Sequence, residues 1–357
     1  MTALIAVVSF LAVIIVLVLA HEFGHFITAK ARGVRVLEFG VGFPPRLFGV
    51  KRGDTIYSVN AIPLGGFVKL AGEEDPKEQG SLAGKGIPTR LLILSAGALM
   101  NLLLPIVFFA IAFMVPHQIV QYDVVVARVD PASPALQAGI AVGDRILAVD
   151  GRTVDNGNDL SRDIQLNLGS NVTLTLMHTD GTTSNVNLVP RWHPPQGQGA
   201  IGIGLEQPDP SAITTKTESL PFWRAIPMGV TNSVDTFVLF KNGIIGMIIG
   251  AVPAQFAGPV GIAQLTGEVA SAGISPLLEF AAFLSINLAI FNIFPLPALD
   301  GGRIAFVLLE WVRRGKRIAP RVEGLVHLAG FVLLMIFFLA ITYQDIARII
   351  GGGTFGG

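Results

Sequence analysis

The chain has 357 residues, 25 basic and 25 acidic, so it carries no net charge and exerts no bulk electrostatic pull on nucleic acid. Only 14% of residues are charged and mean hydropathy is +0.63. Soluble domains carry roughly 25% charge, so this is the composition of a protein whose partner is a lipid bilayer. The absence of cysteine excludes disulfides and thiolate-bound metal but leaves imidazole and carboxylate donors.

The first apolar stretch, Leu4–Leu19, is long enough to span and continues into His21. It lacks the basic start and small-residue cleavage site of a signal peptide and reads as retained. It ends in His21-Glu22-Phe23-Gly24-His25, an HExxH pattern. On a helix, residues i and i+4 share a face, so both imidazoles can face one ion. Glu22 is placed to take a proton from water rather than to ligate. A polar helix end at the interface is the plain alternative. Two His and a Glu inside a membrane helix are costly, however, which favours function.

Basic residues from Lys30 to Arg90 follow this segment. Within that loop, Glu38–Pro45 and Thr55–Phe67 are punctuated by Gly and Pro and alternate in a β-like way. This is either an ordinary loop domain or an exposed edge able to pair with a substrate unwound into a strand. Gly65 and Gly66 permit close backbone approach there. The second spanning stretch, Leu91–Val115, contains no charged residue.

Residues 118–206 are richer in strands. Tyr122–Val129, Arg145–Val149, Val172–Met177, Thr183–Leu188 and Ala200–Leu205 read as strands, and Asn158–Leu168 has helical spacing. The run SPALQAGIAVGDRILAVDG resembles a PDZ domain in circularly permuted order. That likeness implies a groove for an added peptide strand between Ile201–Leu205 and the helix near Asn158–Gln165. A β-rich domain without a ligand is the alternative. Val230–Val252 is apolar but interrupted by Asp235 and Lys241, and reads as an amphipathic helix on the outer surface.

The third spanning stretch, Phe280–Leu299, runs into Asn292-Ile-Phe-Pro295-Leu-Pro297-Ala-Leu-Asp300. Catalytic zinc takes three protein ligands and keeps one position open. Asp300 is the best third donor. Leu4 to His21 is about 26 Å of helix and Phe280 to Asp300 about 30 Å, so both reach the same edge of the bilayer core. Pro295 and Pro297 break the helix, and irregular backbone at such depth lines a cavity or is buried in protein. Asn292 is placed to bond a substrate backbone or an oxyanion, or to bond another helix. The fourth stretch is Gly324–Tyr343, preceded by basic residues from Arg303 to Arg321. Both basic loops are cytoplasmic by the positive-inside rule, which puts His117–Ser275 and both termini outside.

HEFGH on the first helix, NIFPLPALDGG on the third and a PDZ-like insert between the second and third together resemble the site-2 protease family over nearly the whole chain. Gly258-Pro-Val-Gly-Ile262 resembles a further family motif, while Gly97-Ala98 lacks the proline usual after that glycine. The resemblance implies a multi-pass zinc metalloprotease of the cell membrane. Zn2+ would be bound by His21, His25 and Asp300, with Glu22 as general base and the active site near the cytoplasmic side. It further implies a re-entrant β-hairpin near the zinc and an extracytoplasmic PDZ domain that filters or docks substrates. Those substrates would be membrane-spanning proteins, such as a trimmed anti-sigma factor or a signal-peptide remnant.

The expected organisation is a polytopic α-helical membrane protein with four transmembrane helices. Residues 1–117 carry two helices and the β region, 118–206 the PDZ-like domain, and 207–275 the interfacial helix and linker. Residues 276–350 carry the last two helices, and 351–357 form a disordered tail. Two rivals differ in class. A metal transporter needs a polar path across the bilayer, yet segment two is free of charge and segment four offers only His327. A non-catalytic PDZ-bearing scaffold gives no reason for Glu22 between two buried His.

Overall fold

The computed structural model describes residues 2–73, 75–253 and 256–351. Of the tail expected to be disordered, Gly352–Gly357 lie outside the described residues. The elements begin with α1 (Thr2–Ala31), β1 (Val36–Arg52), β2 (Thr55–Leu70), α2 (Ile87–Met114) and β3 (His117–Gln121). There follow β4 (Val124–Val129), α3 (Pro134–Gln137), β5 (Arg145–Val149), β6 (Arg152–Thr153), α4 (Gly157–Leu166), β7 (Val172–Met177), β8 (Thr183–Leu188) and β9 (Ile203–Leu205). The last are β10 (Thr214–Glu218), α5 (Phe222–Ile248), α6 (Pro259–Ala272), α7 (Ile274–Ile293), α8 (Asp300–Val312) and α9 (Pro320–Ile350). Among the described residues, four helices are long and apolar enough to cross a membrane: α1, α2, α7 and α9. The chain forms two compact units.

The first unit holds residues 1–112, 223–233 and 256–357. Small residues let its helices approach closely, as expected where lipid supplies no hydrophobic drive to associate. A methyl group on Gly24 of α1 would overlap the Ala96 carbonyl of α2, and one on Gly267 of α6 would overlap Ala6 of α1. Pro105 sits inside α2 and cannot donate to the carbonyl of Asn101 four residues earlier. The Ser285 hydroxyl of α7 donates to that carbonyl at 2.8 Å instead. The linker expected between the insert and the third span thus contains a helix, α6, packed on α1. Its start, the Gly258-Pro-Val-Gly motif, is capped by fully buried Asp345 of α9. The Gly261 N–H donates to Asp345 Oδ2 at 2.8 Å, and Arg348 lies 2.7 Å from Oδ1. A carboxylate at the positive end of a helix satisfies orphan amides there.

β1 and β2 join through a tight turn at Gly53-Asp54, with Arg52 opposite Thr55. Their register shows that each is folded back on itself. Arg46–Arg52 pairs with Thr55–Asn60 across the turn, and Glu38–Val41 pairs with Gly66–Lys69 in opposite directions. Glu38 to Val41 also pairs with Ile56 to Val59, and there the partners advance together. The result is four segments in the order 46–52, 55–60, 36–43 and 65–70, with Gly65–Leu70 on an edge beside α1.

The third span differs from the sequence expectation of Phe280–Leu299. α7 starts at Ile274 and ends at Ile293, Phe294 is extended, and Asp300 is the first residue of α8. Pro295 and Pro297 cause the early stop, because neither donates a backbone hydrogen bond. α8 is held by buried Glu310, whose carboxylate accepts from Arg90 at 2.6 Å and Arg317 at 3.2 Å. Burial pushes this carboxyl up, but the two guanidinium groups outweigh it and hold it below its ordinary value.

The second unit holds residues 113–222 and 234–255. Its main sheet runs β8-β7-β5-β4-β9, with β6 beside β5. Alternate residues of β7 (Val172, Leu174 and Leu176) enter a core with Val126, Ile146, Leu160 and Ile164. β3 and β10 pair antiparallel as a stalk, with His117 opposite Glu218 and Gln121 opposite Thr214. The charge that interrupts α5 has a partner: Asp235 binds Arg152 at 2.5 and 3.2 Å, and Asn242 donates to the Gln165 carbonyl at 2.8 Å. The C-terminal half of α5 thus packs on the insert.

Replacing Asp345 with Ala removes the partner of the Gly261 amide and one contact of Arg348, and is expected to cost about 1–3 kcal/mol. A thermal melt of the detergent-solubilised variant checks this; an unshifted midpoint would remove the cap from the stabilising set.

Candidate metal centre

His21 and His25 lie one turn apart on α1 and are both 8% exposed, while Asp300 opens α8. The three side chains converge. His21 Nε2 and His25 Nε2 are 3.2 Å apart, and each lies 3.0 Å from Asp300 Oδ2. Three donors about 2.0–2.1 Å from one tetrahedral ion would stand about 3.3 Å from each other. The observed triangle matches that to within a few tenths of an ångström. The donor set of two imidazoles and one carboxylate is also that of catalytic zinc.

The neighbours of this triangle fix its orientation. The Nδ1–H of His25 donates to the Ile93 carbonyl of α2 at 2.8 Å, which leaves Nε2 unprotonated and free to ligate. Gly97, one turn along α2, lies against both rings: a methyl group there would overlap His25 Nε2 and the Cε1 and Nε2 of His21. Gly301 and Gly302 let the chain fold back on itself after Asp300, since side chains there would overlap the Phe294 and Leu296 carbonyls. Ala298 has φ +77°, an uncommon conformation for a residue with a side chain. Its N–H donates to Nδ1 of His327 on α9 at 2.9 Å. α9 also packs so closely that a methyl on Gly330 would overlap Pro297.

Glu22 projects beside the triangle into a cavity of about 390 Å³. Gly65, Gly66 and Asn292 line the same cavity, with His21 and the apolar Ile14, Val18, Phe43 and Leu288. Gly66 of β2 lies against Glu22, since a methyl group there would sit 3.7 Å from Glu22 Cγ. Asn292 is buried at the last turn of α7. Pro295 and Pro297 do not line the cavity; they shape the turn that delivers Asp300. Of the residues selected from sequence, the structure therefore brings together His21, Glu22, His25, Asp300, Asn292, Gly65 and Gly66.

Sequence reasoning missed three participants: the Ile93 carbonyl, Gly97 and His327. Gly97 was visible only as a glycine lacking its usual following proline, and His327 as an isolated polar residue in an apolar helix. Neither signal says which helix the residue meets.

Residues 9–337 match the profile of peptidase family M50. A protein of Clostridium perfringens described as a candidate zinc metalloprotease is 37% identical, covering 92% of this chain and 95% of its own length. Zinc metalloprotease RasP of Geobacillus kaustophilus is 29% identical, covering 96% of this chain and 98% of its own. Among solved structures, the PDZ domain of an SdrC-like protein from Listeria monocytogenes aligns to 23% of this chain and 85% of its own, at 23% identity and a TM-score of 0.21.

Gly97→Ala is expected to displace both imidazoles and lower the zinc content of the purified protein, with the fold retained. Metal analysis beside a thermal melt tests this; full zinc occupancy would show that the rings tolerate the extra carbon.

Proposed function

The chain belongs to peptidase family M50 and is a zinc metalloprotease of the site-2 type, and from that premise we propose that it hydrolyses peptide bonds of membrane-spanning proteins, with His21, His25 and Asp300 holding the Zn2+ and Glu22 as general base. The observation that carries this reading is the convergence of the three donors, with Glu22 beside them at the edge of a cavity. Zinc there supplies Lewis acidity, acidifying water and polarising a carbonyl.

The chain's own groups do the rest. Glu22 accepts a proton from the attacking water and returns it to the leaving amine. Asn292 faces the same cavity and is placed to donate to the carbonyl oxygen as it gains charge. A helical substrate shields its peptide bonds, so it must unwind first. The Gly65-Gly66 edge offers main-chain groups for the strand that results, and neither glycine adds a side chain of its own.

The four apolar helices support a multi-pass membrane protein. The basic residues before α2 and around α8 support an active site near the cytoplasmic side of the cell membrane. The insert between α2 and α5 is then extracytoplasmic. β9 is an edge strand of the insert's sheet, a methyl on Gly157 of α4 would lie 3.3 Å from Leu205 of β9, and the peptide groove is proposed between these two elements. In this reading the insert selects trimmed substrates over full-length ones by docking or by bulk.

Glu22→Gln is expected to lower cleavage of a single-pass substrate by about 10²–10⁴-fold with zinc still bound. A chelator should abolish cleavage by the parent protein, which a transporter or a scaffold would not display. Turnover by the Gln variant at the parent rate would remove Glu22 from the base role. Replacing residues 122–213 with a short turn keeps the β3–β10 stalk, whose ends at Gln121 and Thr214 are paired. That variant should cut full-length and trimmed substrates alike; preserved discrimination would place selection elsewhere.

A further inference from the structure

The two imidazoles of the metal centre are not equally supported. His25 has the Ile93 carbonyl on its Nδ1, whereas His21 Nδ1 is buried without a hydrogen-bond partner among the described residues. One other side chain in this bundle is more exceptional. Asn101 of α2 is fully buried, and neither its Oδ1 nor its Nδ2 has a partner among the described residues. A buried amide without a hydrogen bond is expensive, and more so in a lipid-embedded helix, where an apolar residue would be favoured.

α1 and α2 meet where Ile93 accepts from His25, Ala96 faces Gly24, and Gly97 touches both rings. Asn101 lies one turn of α2 beyond Gly97. Gly97 and Asn101 are four apart and share a face of α2. The backbone of Asn101 is tied down separately, since Ser285 takes its carbonyl.

We infer that Asn101 is a positioning residue for the metal centre: its Oδ1 accepts, through one buried water, the Nδ1 proton of His21, and so holds Nε2 as the ligating nitrogen. A buried water suits a site with two or more unsatisfied polar groups. The arrangement gives His21 what the Ile93 carbonyl gives His25. Ile93, Gly97 and Asn101 then form one stripe on α2 that sets both rings. This inference rests on the assignment of His21 as a ligand.

The test uses full-length protein in detergent. Zinc affinity is measured by competition with a chromogenic chelator, the ligand field by Co2+ absorption, and folding by thermal melting. Asn101→Leu, which removes the acceptor at similar volume, should melt at or above the parent temperature. Its zinc dissociation constant should rise roughly 10–100-fold, with a changed Co2+ spectrum. Asn101→Ser, which keeps an acceptor oxygen, should stay close to the parent. Parent-like affinity and spectrum in Asn101→Leu would overturn the inference. If the Leu variant fails to fold, the comparison of Ser with Ala at this position decides: a tighter Ser variant supports the inference and equal affinities overturn it. Asp300→Ala serves as the reference. Zinc absent from the parent, or undiminished in Asp300→Ala, would sink the metal-centre reading itself, whereas loss in Asp300→Ala with none in Asn101→Leu sinks only the role of Asn101.

Discussion

Three polar side chains from two separate helices must meet at one point inside an apolar bundle, and the rest of the first unit is arranged around that requirement. His21 and His25 come together through helical periodicity alone. Asp300 does not, since it reaches them across 275 residues of sequence from His25. Bringing it there takes a helix that stops early, a turn that doubles back, and two glycines that let the turn close on itself. Each of these features weakens α7 as a helix, and each is offset by a contact from outside it. α9 contributes His327 and a close surface at Gly330, while α8 is held at its far end by Arg90 and Arg317.

Backbone irregularity in this unit is consistently paired with a side chain that restores the lost hydrogen bond. Pro105 frees the Asn101 carbonyl, and Ser285 takes it. The strained Ala298 amide is taken by His327, and the start of α6 is taken by Asp345. Apolar surroundings make this pairing obligatory, because no bulk water is at hand to satisfy an orphan group. The polar residues of the apolar helices are accordingly few, and most have an identifiable partner.

Much of this was legible in the sequence where the physics is local. The four spanning stretches are apolar over roughly the thickness of a bilayer core, and the HExxH spacing needs only one turn of helix. Strands such as β5, β7 and β8 follow from alternation and from glycine turns at the positions read. Features that depend on a distant partner were not legible. Asp235 and Lys241 looked like interruptions that kept α5 at a surface, yet Asp235 is there to bind Arg152 of the insert. The folding of β1 and β2 into four segments depends on register, which alternation alone does not fix. Gly97 matters only because two rings of another helix lie against it.

In the proposed reading, hydrolysis within lipid poses opposite demands, since the site must admit water and an extended peptide while its surroundings exclude both. The cavity beside Glu22 reconciles them by its lining. α1 contributes Ile14 and Val18 beside His21 and Glu22, α7 contributes Leu288 beside Asn292, and the β region contributes Phe43 and, at the sheet edge, Gly65 and Gly66. An extended backbone there satisfies its own amides by pairing with that edge, which is the one way a non-helical segment avoids the cost of unpaired peptide groups in such surroundings. The edge proposed to accept a strand also lies against the proposed base, since a methyl on Gly66 would sit 3.7 Å from Glu22 Cγ. In that reading substrate alignment and base position share one structural element, so a peptide that fails to pair with the edge is also poorly placed before the carboxylate.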